Sequence, residues 1–190
     1  MDLIPNVQVV ADIFHVTVQV NKELDTQIKR ERIQAIDLEK TTKLRSKKAE
    51  CQRILEGLKK SKYPLLKNEQ DLNEKQKIKL RQVKSVCPTL KIMHELKEEI
   101  RKIYEQADNW LTGLLKLGVW LASAKKYFPN SGKTIIEWLD EIIAYFDNRT
   151  TSGVVEGINN KLKLIKRSAY GFRNFDNYKN RCLLTWPFNG

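Results

Sequence analysis

The sequence has 190 residues, of which 35 are Lys or Arg and 23 are Asp or Glu, so the formal net charge is +12 and the pI about 9.6. A chain of this length can bury a sizeable core, and its few glycines and prolines favour helix. The positive charge favours a polyanionic partner, either nucleic acid or an anionic membrane surface.

The motif content excludes several classes of protein. The first residues lack the basic and apolar regions of a signal peptide. The most apolar run, 110–124, contains Lys116 and is shorter than the ~20 residues that a membrane span needs. The spacing of the three cysteines gives neither a CxxC pair nor a zinc site; they are Cys51, Cys87 and Cys182. We therefore expect reduced thiols in a cytoplasmic protein. Because the sequence shows neither a signal peptide nor a membrane span, we expect no membrane partner. No P-loop, GxGxxG or Ser-His-Asp arrangement occurs.

A short apolar run near the start, 7–11, predicts a buried strand that places Asp12 at its carboxyl end. Ligands of open α/β sheets bind at such ends, although an aspartate that caps a turn or a helix fits the same residues. His15 follows three residues later. It either orients Asp12, contacts a nucleic acid or packs under the sheet.

The segment 16–58 predicts a long helix with one break, because apolar residues recur along it as a thin stripe. The stripe contains Leu24, Ile28, Leu44, Cys51, Leu55 and Leu58. Residues 29–62 hold twelve Lys or Arg against five Asp or Glu. This basic face is either an ordinary solvated surface or a track for a nucleic-acid backbone.

The apolar run 63–66 predicts a second strand, and the segment 69–146 predicts a block of helices after it. Asn73 and Gln76 have the spacing of a capping box, and Pro88 can begin the next helix. That helix is predicted to bury Met93, Leu96, Ile100 and Ile103.

The rest of the block contains its most apolar segment. The run 110–124 is apolar nearly all round, which predicts the buried centre of the block. Beyond a break at Pro129, one amphipathic helix is predicted to carry Ile135, Ile136, Leu139, Ile142, Ile143 and Phe146. Trp110, Trp120 and Trp138 are interpreted as core residues, with base stacking as the alternative for any one of them.

A helix is predicted after Ser152 and Gly153, ending before Gly171. Glu156, Asn160, Lys163 and Arg167 share one stripe of it, and Val154, Ile158, Leu162 and Ile165 share the other. This order of side chains suits a helix that binds a metal ion beside a nucleic-acid strand. The carboxylate is an oxygen ligand for a divalent ion, and the cations can hold the phosphates of the strand. A solvated charged face is the alternative.

Three segments of this sequence resemble the DDE-type transposases of bacterial insertion sequences, most closely the ISL3 group. The segment RTTSGVVEGINNKLKLIKRSAYGFRNFDNYKNR resembles the family motif around its third catalytic carboxylate, which corresponds to Glu156. VVADIFHV resembles the motif of the second catalytic carboxylate, which corresponds to Asp12, and YPLLKN resembles the strand that follows it.

The resemblance implies a metal-dependent enzyme that cleaves DNA and joins DNA strands. Asp12 and Glu156 would be catalytic metal ligands for two Mg²⁺ or Mn²⁺ ions in the complete enzyme. The DNA at the insertion-sequence ends would be held by basic and amide side chains. These are Asn160, Lys163, Lys166, Arg167 and Arg173, with His15 supporting Asp12.

The family needs three acids, and the first lies on the first strand of the fold. The elements between the first and second acids need at least ~40 residues, whereas eleven residues precede Asp12. We therefore expect the C-terminal part of a transposase, without the first Asp and the N-terminal DNA-binding region. Such a chain is expected to be inactive alone, or to work with an upstream polypeptide that carries the first Asp. The alternatives are a non-catalytic DNA-binding remnant or regulator that associates with full-length transposase, and a helical protein without nucleic-acid function.

The expected fold class is α/β and mostly helical, a partial ribonuclease H-like fold with a helical insertion before the last catalytic helix. Residues 1–68 would hold the second-Asp strand, the long basic helix and the following strand. Residues 69–146 would form the insertion, and 147–190 would carry the catalytic Glu helix and a basic C-terminal segment. A DNA-associated protein in the bacterial cytoplasm is expected.

Overall fold

A computed structural model describes residues 13–148 and 153–168, with four further single residues at 177, 180, 181 and 184. The chain divides into two compact units, Met1–Arg149 and Thr150–Gly190. Within the described residues every regular element is helical. The helices are α1 (Ile13–Thr41), α2 (Arg45–Leu58), α3 (Lys62–Leu66), α4 (Glu74–Val86), α5 (Pro88–Gln106), α6 (Trp110–Ala124), α7 (Pro129–Glu137), α8 (Leu139–Asn148) and α9 (Gly153–Ser168), with a 3₁₀ turn at Glu69–Asp71.

The predominance of helix confirms the helical part of the predicted fold class. The predicted strand at 63–66 is wrong, because these residues form α3 and bury Pro64 and Leu65. A short apolar run fits either a strand or a buried helical turn. Here Lys97 of α5 donates to the carbonyl of Lys67 at 2.7 Å, which helps satisfy the end of the helix. The strand predicted at 7–11 lies outside the described residues, and the ribonuclease H-like fold stays a prediction.

The long helix of 16–58 and its single break are confirmed by α1 and α2. Helix α1 buries Val16, Val20, Leu24 and Ile28 along one stripe. Leu44 was predicted to join this stripe, which is wrong: it precedes α2 at the break between the helices and is exposed.

The centre of the first unit is α5. Pro88 begins it, as predicted, and it buries Met93, Leu96, Ile100 and Ile103. The capping box at the start of α4 is also confirmed, since Asn73 and Gln76 bond to each other's backbone N–H groups. Helix α5 packs against α1, α4 and α6, so residues on either side of position 68 share one core. The predicted division of the chain at 68 stays a prediction.

Helix α6 is not the buried centre that its composition predicted. It buries one side, and Leu115 and Val119 are exposed on the other. Gly113 lies where a β-carbon would overlap the ring of Phe146, so α6 and α8 approach closely at this position. Trp120 is in the core and donates to the carbonyl of Leu96 at 2.8 Å.

Two further predictions for this region need correction. Trp110 and Trp138 are more than two-fifths exposed, so neither is a core residue. The single helix predicted after Pro129 is two helices, α7 and α8, separated at Trp138. Both pack on the rest of the unit through Ile135, Ile142 and Phe146, which are fully buried, whereas Ile136 is exposed.

The two described cysteines, Cys51 and Cys87, are buried free thiols. Burial raises the pKa of Cys87 to about 11, which keeps that thiol protonated and unreactive. Among the described helices, none is long and apolar enough to cross a bilayer.

Candidate functional site

The acidic residue predicted for the first unit, Asp12, lies outside the described residues, and α1 begins at the next position. His15, in the first turn of α1, is exposed. Its ring meets the Trp138 ring edge-on with 6.1 Å between the centroids, and the Phe14 ring at 5.8 Å. His15 is therefore not packed in the core. Its role in supporting Asp12 stays a prediction.

Helix α9 begins at Gly153 and ends at Ser168, which confirms the predicted helix around Glu156. In a helix with 3.6 residues per turn, positions 156, 160, 163 and 167 fall on one side. The backbone of α9 thus aligns Glu156 with the polar residues predicted to act with it. The side chain of Glu156 is outside the described part of the structure.

The described polar side chains of α9 are solvent-accessible. Asn160, Lys163, Lys166 and Arg167 are all exposed. Ile165, on the predicted apolar side, is buried, whereas the side chains of Val154, Ile158 and Leu162 are not described. Two of the cations occupy the last turn of α9, where positive charge complements the partial negative charge of the helix end. Arg173 lies outside the described residues.

Oxygen-rich side chains such as Asp12 and Glu156 are the ligands that Mg²⁺ and Mn²⁺ prefer. Within the described residues, no group of three His, Cys, Asp or Glu side chains is arranged to hold a metal ion. The donor chemistry of the two predicted acids therefore fits the predicted ions, and none of the described acids forms a competing centre.

A basic groove between α1 and α7 was not predicted from the sequence. Its volume is about 720 Å³, and its cations are Lys22 and Arg30 from α1, Lys126 beside Tyr127, and Lys133 from α7. The α1 residues fall on one side of the helix, which the helical period could have indicated. These α1 residues lie across the groove from Lys126 and Lys133 because of tertiary packing, which the local sequence does not show.

Glu23 fixes the geometry of this groove. Its carboxylate accepts hydrogen bonds from the backbone N–H groups of Asn130 and Ser131 at 3.0 and 2.8 Å. It also accepts from their side chains at 2.9 and 2.6 Å. These donors lie in the first turn of α7, so Glu23 caps that helix from α1. Glu23 is fully occupied, and the other acid of the groove, Glu137, lies 3.7 Å from Lys133, so Lys22, Arg30 and Lys126 supply most of the remaining charge.

A second polar cluster is buried in the first unit and does not resemble a binding site. The Lys97 ammonium forms an ion pair with Glu98 at 2.7 Å and also bonds to the carbonyl of Lys67. Burial lowers the pKa of Lys97, and the Glu98 carboxylate opposes that shift. Arg101 joins the pair at 3.4 Å from Glu98. The cluster ties α5 to the segment after α3, and its three side chains are almost fully buried.

Comparison with known proteins identifies the family. Residues 1–182 match the family model of the DDE-type ISL3 transposases, described as "Transposase". The chain is 25% identical over 201 residues to the transposase of insertion sequence element IS1001 from Bordetella parapertussis, covering 97% of this chain and 43% of that protein. It is 31% identical over 121 residues to the transposase of IS1557 from Mycobacterium tuberculosis, covering 62% of this chain and 27% of that protein.

A segment of 52 residues is 36% identical to a Lactococcus lactis protein named ATP-dependent protease, covering 27% of this chain and 17% of that protein. No solved structure matches the chain. The chain spans less than half the length of the two curated transposases that it resembles. Because the family model matches nearly the whole chain, including positions 12 and 156, the chain belongs to the ISL3 group of DDE-type transposases.

Proposed function

We propose that this chain contributes part of the catalytic centre and part of the DNA-binding surface of a transposase. The family match over residues 1–182 carries this proposal, because it contains both predicted acids and the basic helix α9. DNA at insertion-sequence ends would be the substrate. A partial ribonuclease H-like core, completed by segments outside the described residues, would hold the two acids in one cleft.

Asp12 and Glu156 would hold the divalent ions that the family generally uses. When bound, Mg²⁺ or Mn²⁺ would supply the Lewis-acid chemistry on which attack of a water or a DNA 3′-hydroxyl on a phosphodiester depends. The chain itself would position the reactants. His15 would orient Asp12, and no covalent link between protein and DNA is needed.

The exposed side of α9 would hold the DNA strand beside the acids. Lys163, Lys166 and Arg167 offer positive charge that contacts phosphates without reading sequence. Asn160 lies one turn after Glu156 and can donate a hydrogen bond to a phosphate or a base. Arg173 would extend the same basic surface.

The proposed activity depends on three carboxylates, and Asp12 and Glu156 are the two that we assign within residues 1–190. We therefore expect that residues 1–190 alone neither nick DNA nor transfer strands. An added segment that carries the first Asp, in the same polypeptide or as a separate one, should restore both reactions in the presence of Mg²⁺ or Mn²⁺. Asp12 and Glu156 would leave the ligand set for the ions short of one carboxylate, and in-line attack depends on precise positioning of the reactants.

The test is an assay of nicking and strand transfer on DNA that carries insertion-sequence ends, with and without the added segment. Glu156→Gln should abolish the restored activity, and Glu141→Gln, in α8, should leave it intact as the matched control. Metal-dependent nicking by residues 1–190 alone would contradict the proposal. DNA binding without restored activity would favour the second candidate, a non-catalytic regulator of full-length transposase.

A further inference from the structure

A cleft lined by four lysines lies in the first unit, between the loop that follows α2 and the beginning of α4. We call it the lysine cleft and define it by Lys59, Lys60, Lys75 and Lys79. Its volume is about 650 Å³, and Tyr63, Asn73, Gln76 and Glu56 also line it. The cleft is separate from the groove between α1 and α7, with which it shares no residue.

The loop that carries Lys59 and Lys60 is anchored on both sides. Gly57 lies against Val86 of α4, where any β-carbon would overlap the valine side chain. On the other side Ser61 is fully buried, and its hydroxyl donates to the carbonyl of Leu58 at 2.9 Å. The two lysines between these anchors are exposed. The loop therefore presents them on a fixed backbone.

Lys60 has a backbone φ of 58°, the one positive φ outside glycine among the described residues. This left-handed conformation is common for glycine or asparagine just after a helix, and it costs free energy for a residue with a long side chain. A lysine at this position gives up stability that glycine would supply. Strained residues of this kind cluster at functional sites, so the position points to a role for the ammonium group.

The positive charges of the cleft are only partly compensated. Lys79 donates to the backbone carbonyl of Glu56 at 2.8 Å, a neutral partner that leaves its charge in place. Lys59 lies 3.9 Å from the Glu56 carboxylate. Neither Lys60 nor Lys75 has an ion-pair partner among the described residues. Both ammonium groups are therefore available to an anion.

The beginning of α4 adds a further attraction for anions. The capping box satisfies the backbone N–H groups of Asn73 and Gln76, and Lys75 lies between them in the first turn. The start of this 13-residue helix carries partial positive charge, and the acid of its first turn, Glu74, pairs with Lys77 at 2.9 Å rather than with a lysine of the cleft. The start of α4 and Lys75 therefore both attract an anion into the cleft.

We propose that the lysine cleft binds phosphates of a DNA backbone at a contact additional to that of α9. The inference rests on the proposed function, because it takes DNA as the partner. The ion pair between Lys62 and Asp25, at 2.8 Å, joins the segment beside the cleft to α1. Asp25 is twelve residues beyond the first residue of α1, or ~18 Å along its axis.

The test replaces Lys60 by residues that accept its backbone. Lys60→Gly and Lys60→Asn both suit a positive φ, so the protein should fold with an unchanged or higher melting temperature. Each should lose about one phosphate contact on a duplex of ~20 base pairs. At ~0.1 M salt the dissociation constant should rise roughly five- to tenfold for every sequence, and the log–log salt slope should fall by about 0.9.

Lys91→Ala is the matched control, because Lys91 is exposed on α5 and does not line the cleft. It removes the same charge, and its dissociation constant should stay within about twofold of the wild type. Equal effects of Lys60→Gly and Lys91→Ala would overturn the inference, and the proposed function would stand if Lys163→Ala still weakens binding. Weaker binding to anionic lipid vesicles without an effect on DNA would overturn it in favour of a membrane contact. If the wild type binds no DNA at low salt, the inference and the proposed DNA contacts both fail.

Discussion

His94 is a fully buried titratable residue whose environment holds it neutral. Its Nδ1 lies 3.8 Å from Glu69, and its Nε2 lies 4.0 Å from Glu98. Burial, with smaller effects of Lys97 and Lys84, lowers the pKa of His94 from 6.5 to about 3. The imidazole is therefore uncharged at neutral pH, and its two nearby carboxylates do not form ion pairs with it.

The low pKa of His94 makes stability depend on pH. The unfolded chain binds a proton to this residue below about 6.5, but the folded chain does so only near 3. Acidification from 6.5 towards 3 therefore favours unfolding, and by pH 4.5 the loss should reach about 2–3 kcal/mol. Denaturant titrations of the wild type and His94→Leu at pH 7.5 and 4.5 measure the free energy of unfolding. Between these pH values the wild type should lose about 2–3 kcal/mol more than the variant. Equal losses would contradict the low pKa of His94.

Several residues were predicted correctly because their signals are local. The capping box of Asn73 and Gln76 needs a spacing of three residues and nothing else, and Pro88 suits the first turn of a helix wherever that helix packs. The prediction that Trp110 and Trp138 are core residues is wrong, because the aromatic character of a residue does not by itself show that it is buried. Lys60 could not be found at all, since its backbone conformation follows from the packing of Gly57 and Ser61 on either side.

On α9, the described members of the predicted polar side, Asn160, Lys163 and Arg167, are exposed. Replacing Lys163 and Arg167 by alanine should weaken DNA binding for all sequences, and the log–log salt slope should fall by nearly two, because two phosphate contacts are lost. Fluorescence anisotropy with unrelated duplexes over about 50–200 mM salt measures both quantities.

Leu164→Ala is a suitable control for this pair, because Leu164 is exposed on the same helix and carries no charge. It should leave the salt slope unchanged. If the double variant also binds like the wild type, the basic side of α9 is an ordinary solvated surface.

The positions of the helices were easier to predict from the sequence than the burial of their side chains. The helical period located α1, α2, α5 and α9, because long amphipathic patterns repeat many times. Helix α6 was misjudged because its composition is apolar all round, whereas its neighbours cover only the side of Gly113, Leu117 and Trp120. The segment 63–66 was misjudged because Lys97, thirty positions away, helps satisfy the end of its helical turn.

At the scale of the whole molecule, the sequence supported the family more strongly than the fold. The motifs around Asp12 and Glu156 led to the transposase family, which the family comparison confirms. The described helices form one packed core from α1 to α8, and local patterns could not predict which helix occupies its centre. The basic groove lies between α1 and α7, which are distant in sequence, and the lysine cleft depends on how the loop after α2 packs beside α4, so only the structure could reveal them.

The central proposal is that Asp12 and Glu156, 144 positions apart in sequence, would hold the same divalent ions. Iron-directed cleavage tests this claim without requiring activity. Fe²⁺ replaces Mg²⁺ at such a site, and hydroxyl radicals made with ascorbate and peroxide cut the nearby backbone. We expect cuts near both residue 12 and residue 156, suppressed by excess Mg²⁺ and lost in Glu156→Gln. Cuts near one acid alone, or a pattern unchanged by Glu156→Gln, would contradict the account.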